Sequence, residues 1–174
     1  MKRLSNLFLY LIILASVTIA QIPPPPTTTW YVNYTDGDNT WSGHHCLNTP
    51  GGTGPKRTIS GVFASGTVHN GDIINIAAGI YTDHPTFSKS VIVNGYTFAA
   101  NSEIVFDLTQ GDIQINTGGA PVIFESGPAC SAAGVTQFKF INNGSLLRGF
   151  YLQSGSVINK NTVFYITKNV DLKK

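Results

Sequence analysis

The sequence contains few charged residues. Its 174 residues include 11 Lys and Arg and 9 Asp and Glu, which gives a formal net charge of +2. A domain that binds nucleic acid or an anionic membrane surface would be expected to cluster basic residues on one face. Beyond the N-terminal leader the only basic pairs are Lys56-Arg57 and Lys173-Lys174. We therefore expect no nucleic-acid partner.

The longest apolar run is too short for a membrane span, which needs about 20 residues. This run, Leu7–Ala15, follows a basic pair and precedes small residues, with Thr18 and Ala20 at the −3 and −1 positions of a cleavage site before Gln21. The layout is typical of a secretory signal peptide covering residues 1–20, and an uncleaved N-terminal anchor is the alternative. We predict a secreted or cell-surface protein with no membrane span after cleavage.

Residues 21–29 differ in composition from the rest of the chain, because they contain the segment IPPPPTTT. Four prolines favour an extended polyproline II spacer. We interpret residues 21–29 as a linker and residues 30–174 as one folded domain, a length that is sufficient for a hydrophobic core.

Cysteine is scarce: the chain contains only Cys46 and Cys130. In an oxidising compartment the two thiols could pair and tie an early loop to a distant turn. Two separate thiols are the alternative, and the sequence leaves both open.

Helical periodicity is also scarce beyond Trp30. The best candidate is residues 58–68, where Ile59, Val62 and Phe63 recur at spacings of three and four. Two glycines within it limit its length. We expect a short helix that caps one end of a β structure.

Short alternating apolar runs make up most of the remaining sequence, and each is closed by Gly, Asn, Asp, Pro or Ser. An antiparallel sandwich or barrel would favour longer strands and two-residue hairpin loops, whereas a parallel solenoid uses short strands with dense corners. The pattern here favours the solenoid. The residues predicted to face its interior are Ile74 and Ile76, Val91 and Val93, Ile104, Phe106 and Leu108, Ile113 and Ile115, Val122 and Phe124, Phe138 and Phe140, Phe150 and Leu152, and Phe164 and Ile166.

Four consecutive segments resemble the N-terminal opening of the pectin-lyase-like proteins. They are Tyr31–Gly43, Gly54–Val68, the stretch NGDIINIAAGIYTD at residues 70–83, and Phe87–Tyr96. The resemblance implies an all-β fold, a right-handed single-stranded parallel β-helix with a short N-terminal capping helix. It also implies that NGD turns the first corner and that Gly79 turns the next. It does not select an activity, since such folds include lyases, hydrolases and adhesins.

Solenoids need a cap at both ends, because an open coil exposes backbone groups and apolar side chains. The sequence ends in the strand-like run VFYITKNVDLKK. We therefore expect a β-helix truncated at its C-terminal end, with further coils or a capping partner covering the last coil.

A β-helix lyase needs a basic catalytic side chain and commonly a calcium ion held by acidic side chains on one outer face. The candidate groups are Glu103, Asp107, Asp112 and Glu125, with Lys139, Arg148 and Lys160. Roles in turns and at the surface explain these side chains better than catalysis does. No cofactor is evident, and calcium stays a candidate ligand.

Two further clusters could bind metal. Asp36-Gly37-Asp38 resembles the start of a calcium loop, but Trp41 and Leu47 stand where an EF-hand requires Gly and Glu. His44-His45-Cys46 offers soft ligands, although adjacent residues rarely bind one ion together. We interpret both as ordinary loop segments, and metal ligands and catalytic residues remain unassigned.

Carbohydrate binding would use exposed aromatic side chains, for which Trp41, Tyr96 and Tyr151 are candidates, and partly buried packing of each ring is the alternative. Asn33 and Asn143 begin N-glycosylation sequons. The sequence favours a non-catalytic scaffold that binds polysaccharide or a cell-surface glycan, or acts in adhesion. The alternative is the N-terminal part of a lyase or glycoside hydrolase that acts on acidic polysaccharides, so enzymatic activity stays open.

Overall fold

The computed structural model describes residues 27–48, 51–99, 102–135, 137–167 and 169–173. The predicted signal peptide and most of the predicted linker lie outside these residues. Within them, no helix has the length and apolar character needed to cross a membrane.

The described chain is nearly all β. One short helix interrupts a succession of strands, each two to six residues long. In chain order the elements are β1 (Thr29–Val32), α1 (Ile59–Phe63), β2 (Ile73–Ala77), β3 (Gly79–Tyr81), β4 (Thr86–Phe87), β5 (Ile92–Thr97), β6 (Ile104–Asp107), β7 (Ile113–Ile115), β8 (Pro121–Ser126), β9 (Ala133–Gly134), β10 (Gln137–Ile141), β11 (Arg148–Leu152), β12 (Ser156–Lys160), β13 (Val163–Ile166) and β14 (Val170–Lys173).

The strands form three parallel sheets. The first has the order β1-β2-β5-β8-β12, the second β3-β6-β10-β13 and the third β4-β7-β11-β14. From β2 onward the chain visits the first, second and third sheet in turn, and we call one such pass a round. The only antiparallel pair among the described strands joins β9 to β5. Parallel pairing contradicts the antiparallel sandwich or barrel, and the sheet order is compatible with a parallel β-helix.

The core runs through the stacked rounds. Ile74, Val93 and Phe124 occupy one register on the first sheet, and all three are buried. The predicted inward residues from Ile74 to Phe150 are buried in the same way. Toward the end of the chain Leu152 and Phe164 are only partly buried, and Ile166 is 48% exposed. The alternation therefore predicts the inward face in all but the last rounds.

The turn at NGD is anchored by a buried carboxylate. Gly71 has a φ of 91°, a left-handed conformation that favours glycine. Asp72 follows and accepts hydrogen bonds from the Trp30 indole at 3.1 Å and from the backbone of His69 at 2.9 Å. The next bend differs from the expectation: it lies at Ala78, and Gly79 already pairs with Ile104 as the first residue of β3.

The predicted helix is present but covers only Ile59–Phe63. Thr58 caps it, because its hydroxyl accepts a hydrogen bond from the backbone of Gly61 at 2.9 Å. Ile59 and Val62 are buried, and the ring of Phe63 lies 5.5 Å from that of Phe87. The helix therefore packs on the core through the positions that the sequence indicated.

A flap, residues 127–135, covers part of the outer face of the first sheet. Asn75 and Asn94 point away from the core, as alternation predicts, yet both are buried. The Asn94 side chain donates to the Asn75 side chain at 2.6 Å and to the backbone carbonyl of Gly127 at 3.4 Å. The flap then ends in β9 against the end of β5.

Candidate functional site

The acidic and basic side chains considered for catalysis form ion pairs on different sheets. Lys139 and Glu103 are 3.4 Å apart along the second sheet, and Arg148 and Asp112 are 3.8 Å apart beside the third. Lys160 and Glu125 are register partners on the first sheet, 3.2 Å apart. Each pair joins successive rounds on its own face. These groups therefore do not converge on one site.

Asp107 has a local role at the corner that follows β6. Its carboxylate accepts hydrogen bonds from the backbone amide and from the hydroxyl of Thr109, at 3.0 Å and 2.5 Å. This is the turn geometry that short acidic residues commonly stabilise.

The Asp36-Gly37-Asp38 segment is a tight turn. Asp38 accepts hydrogen bonds from the amide and hydroxyl of Thr40, both at 2.8 Å, and these bonds lower the pKa of its carboxyl group. A Cβ atom on Gly37 would lie 2.4 Å from the carbonyl oxygens of Asn33 and Lys56, so the close approach requires glycine. The carboxylate of Asp36 accepts from the side chain of Asn33 at 3.2 Å.

The histidines of the His44-His45-Cys46 segment do not form a metal site with the cysteine. The His44 ring lies 4.3 Å from the Trp30 ring, and its Nδ1 atom is 3.2 Å from the carbonyl oxygen of Thr29. Cys46 instead lies near Cys130 on the flap. In the described parts of the chain, no group of three or more His, Cys, Asp or Glu side chains is arranged to hold a metal ion.

The predicted aromatic platforms differ in exposure. Tyr96 is completely buried, so the prediction that it could stack against a sugar is wrong. Trp41 is partly buried and packs so closely over Gly54 that a Cβ atom there would lie 2.3 Å from the indole. Tyr151 is 41% exposed on β11 and stays available. Phe98, which the sequence reasoning missed, is 61% exposed.

Phe98 lines a cleft between the loop after β1 and the end of β5. We call it the Phe98 cleft; its volume is about 540 Å³. A smaller hollow of about 220 Å³ continues from it and shares Asn33, Asp36 and Phe98. The lining residues of the main cleft are Asn33, Asp36, Cys46, Leu47, Asn48 and Phe98.

Local structure explains why Phe98 projects from the fold. The Thr97 hydroxyl donates to the carbonyl of Ala99 at 2.8 Å and accepts from its amide at 3.0 Å, which turns the chain at the end of β5. The ring of Phe98 then rests edge-on against buried Tyr96, with 5.7 Å between centroids. One face of an anchored aromatic ring is thus left beside amide and carboxylate groups.

A second hollow, of about 350 Å³ beside α1, is less suited to a ligand. Its polar atoms already serve the helix cap, since the Asn39 side-chain oxygen accepts from the amides of Arg57 and Thr58 at 3.0 and 3.1 Å. The Lys56 ammonium donates to the carbonyl of Asn39 at 2.8 Å. No aromatic side chain lines this hollow among the described residues.

The Phe98 cleft combines an aromatic face with hydrogen-bonding side chains, and Asp36 supplies the only carboxylate among its described lining residues. Stacking on an aromatic face and hydrogen bonds to amides suit an amphipathic ligand such as a sugar. Paired carboxylates that could act on a glycosidic bond are lacking among its lining residues. Compared with protein-family models, curated proteins and solved structures, this chain has no match.

Proposed function

We propose that this protein is an exported, right-handed parallel β-helix scaffold that binds carbohydrate in the Phe98 cleft without catalysing its breakdown. The repeated visit to three parallel sheets supports the β-helix. Right-handed connections between parallel strands of one sheet are strongly preferred, which supports the handedness. The resemblance of residues 31–96 to pectin-lyase-like proteins points to the same architecture.

In this proposal α1 is the N-terminal cap of the β-helix. Its buried residues Ile59 and Val62 join the core at the end where β1 pairs with β2. A terminal cap covers apolar side chains that would otherwise meet water. Export is proposed from the signal-peptide layout of residues 1–20, and the polyproline segment would separate the cleavage site from the fold.

The observation that carries the binding function is the exposed ring of Phe98 beside Asn33, Asp36 and Asn48. The ring would stack against the apolar face of a sugar, and the amide and carboxylate groups would accept and donate hydrogen bonds to its hydroxyl groups. The separation of the three ion pairs onto different sheets supports a non-catalytic role, since acid–base catalysis needs its groups around one bond.

Binding to soluble neutral and acidic polysaccharides, measured by affinity electrophoresis and calorimetry, tests this function. We expect Phe98→Ala to weaken binding about tenfold, because it removes the stacking surface. Leu146→Ala is the matched control, since Leu146 is equally apolar at the surface, 64% exposed, and lies outside the cleft. Circular dichroism establishes that both variants keep the fold.

Two results would contradict the proposal. One is unchanged binding in Phe98→Ala together with loss in Tyr151→Ala, which would move the site to the third sheet. The other is turnover, seen as ultraviolet-absorbing or reducing products from uronate polysaccharides, with and without calcium. If binding required calcium and no turnover occurred, the site would include a calcium ion and the non-catalytic role would be retained.

A further inference from the structure

The flap contains a turn in an unfavourable backbone conformation. Ala129 and Ala132 exchange backbone hydrogen bonds of 3.2 and 2.8 Å, so the two residues between them form the tip of a hairpin. Those residues, Cys130 and Ser131, have φ values of 57° and 64°. Two consecutive positive φ values are typical of type I′ turns, which favour Asn-Gly because a Cβ atom is poorly tolerated there.

This turn places the Cys130 thiol near the Cys46 thiol. Cys130 packs on the cluster of Ala77, Tyr96 and Ala132, and its thiol is close enough to that of Cys46 for the two to interact electrostatically. Cys46 lines the Phe98 cleft, and the Phe98 ring rests on Tyr96. Two residues that are remote in sequence thus lie close together beside the cleft, and both are free thiols in this structure.

We propose that Cys46 and Cys130 are oxidised to an intramolecular disulfide that fixes the flap to the loop after β1 beside the Phe98 cleft. The strained turn supports this, because backbone strain that the surroundings maintain commonly marks a functional position. The bond would join covalently two segments that are remote in sequence. It does not depend on whether the cleft binds carbohydrate.

The oxidant is an external disulfide, such as oxidised glutathione or the active-site disulfide of a thiol oxidoreductase. The Cys46 thiolate attacks one of its sulfur atoms and expels the first external thiolate, which leaves a mixed disulfide on Cys46. Cys130 then loses its proton to solvent and attacks the Cys46 sulfur, expelling the second thiolate. Two protein thiols are oxidised, and one external disulfide is reduced to two thiols.

The order of attack follows from the surroundings of each sulfur. Cys46 lines the open cleft, whereas Cys130, on the flap itself, packs against Tyr96 and Ala132. Burial, together with the contact to Cys46, raises the pKa of the Cys130 thiol to about 12. Since the thiolate is the nucleophile, Cys130 is a poor first attacker and is suited to the intramolecular second step.

The test is to equilibrate the folded, reduced protein with oxidised glutathione and then alkylate it under denaturing conditions. We expect no alkylation, an intact mass lower by two hydrogen atoms, and one peptide in which Cys46 and Cys130 are joined. Because the bond closes so long a loop, reduction should lower Tm by about 10 °C, with no such response in the C46S/C130S variant. That variant also controls for folding without the bond.

The single variants test the order of attack. C130S should acquire a glutathione adduct on Cys46 faster than C46S acquires one on Cys130. Equal or reversed rates would overturn the assigned order. Thiols that stay free, glutathione that persists on either cysteine of the unmutated protein, disulfide-linked dimers, or a bond that leaves Tm unchanged would each overturn the proposal.

Discussion

The first rounds and the last described round use the same kind of strand but differ greatly in burial. In the first rounds even the outward side chains Asn75 and Asn94 are buried. In the last round Ile166, expected to face inward, is 48% exposed, and Val163 beside it on β13 is 49% exposed. The difference lies in what covers the strands, because α1, the loop after β1 and the flap all lie over the early rounds.

The same coverings build the candidate site. The Phe98 cleft lies where the loop after β1 meets the end of β5, and the flap packs Cys130 beside Tyr96, on which the Phe98 ring rests. The last round, by contrast, offers exposed apolar side chains and the Lys160–Glu125 ion pair. The stacked strands therefore form the scaffold, and the segments that lie over them form the Phe98 cleft.

The largest effect on the free energy of unfolding is expected from truncating a phenylalanine side chain in the core. Phe124 is fully buried, and Phe124→Ala should lower the free energy of unfolding by about 4 kcal/mol, from lost burial and the cavity left behind. Phe164→Ala, at a partly buried position in the last round, should cost about 2 kcal/mol. The rings that surround Phe124 within 6.3 Å are Phe87, Phe106, Phe138, Phe140, Phe150 and Phe164.

Urea unfolding of the two variants beside the unmutated protein measures this difference. Equal losses would mean that the last round is as well packed as the round before it, which holds Phe124, and the contrast in burial toward the end of the chain would fail. Both variants share the same ring truncation, so the difference reports on surroundings and not on chemistry.

Two buried polar groups, one at the NGD turn and one at the corner after β10, give a smaller contrast. Asp72 accepts from the amide of Thr28 at 2.9 Å, as well as from Trp30 and His69. Asp72→Ala therefore leaves the buried Trp30 indole N–H and two partly buried amides without an acceptor and should cost about 3 kcal/mol. Asn142 donates to the carbonyls of Leu146 and Asn169, both at 2.7 Å. Because those residues are exposed and their carbonyls can rehydrate, Asn142→Ala should cost about 1 kcal/mol.

The same unfolding assay ranks these two variants. A loss for Asn142→Ala as large as that for Asp72→Ala would show that the later corners depend on buried polar groups as strongly as the NGD turn does. Trp30→Phe, which removes only one donor to Asp72, should fall between the unmutated protein and Asp72→Ala.

The sequence predicted the inward faces well because alternation is a local property of each strand. Ile74, Val93 and Phe106 needed only their neighbours in sequence to be assigned to the core, and the structure buries all three. The pairing direction followed from strand length and corner density. The two-residue strand β4 and the antiparallel β9 were missed, because two residues are too few to show alternating apolar and polar side chains.

The candidate site was much harder to predict, because it depends on contacts between distant segments. Tyr96 and Phe98 are two residues apart, yet one is buried under the flap and the other is exposed. The segment Tyr96-Thr97-Phe98 alone does not show which ring is buried, because the flap that covers Tyr96 is distant in sequence. The meeting of Cys46 with Cys130 was left open for the same reason, although the scarcity of cysteine was a usable signal.

The smallest expected effect concerns the strained turn of the flap. Ser131 has a φ of 64°, and Ser131→Gly should raise the free energy of unfolding by about 1 kcal/mol, because the relief of Cβ strain exceeds the added entropy of the unfolded chain. Asn161, in the last round, has a φ of 55°, but Asn tolerates this conformation, so Asn161→Gly should change little. Both are measured in reducing buffer, so that the thiols stay free. If the two glycine variants behave alike, the Cys130–Ser131 turn stores no strain beyond that of an ordinary turn, and the early rounds lose one of the features that set them apart from the last.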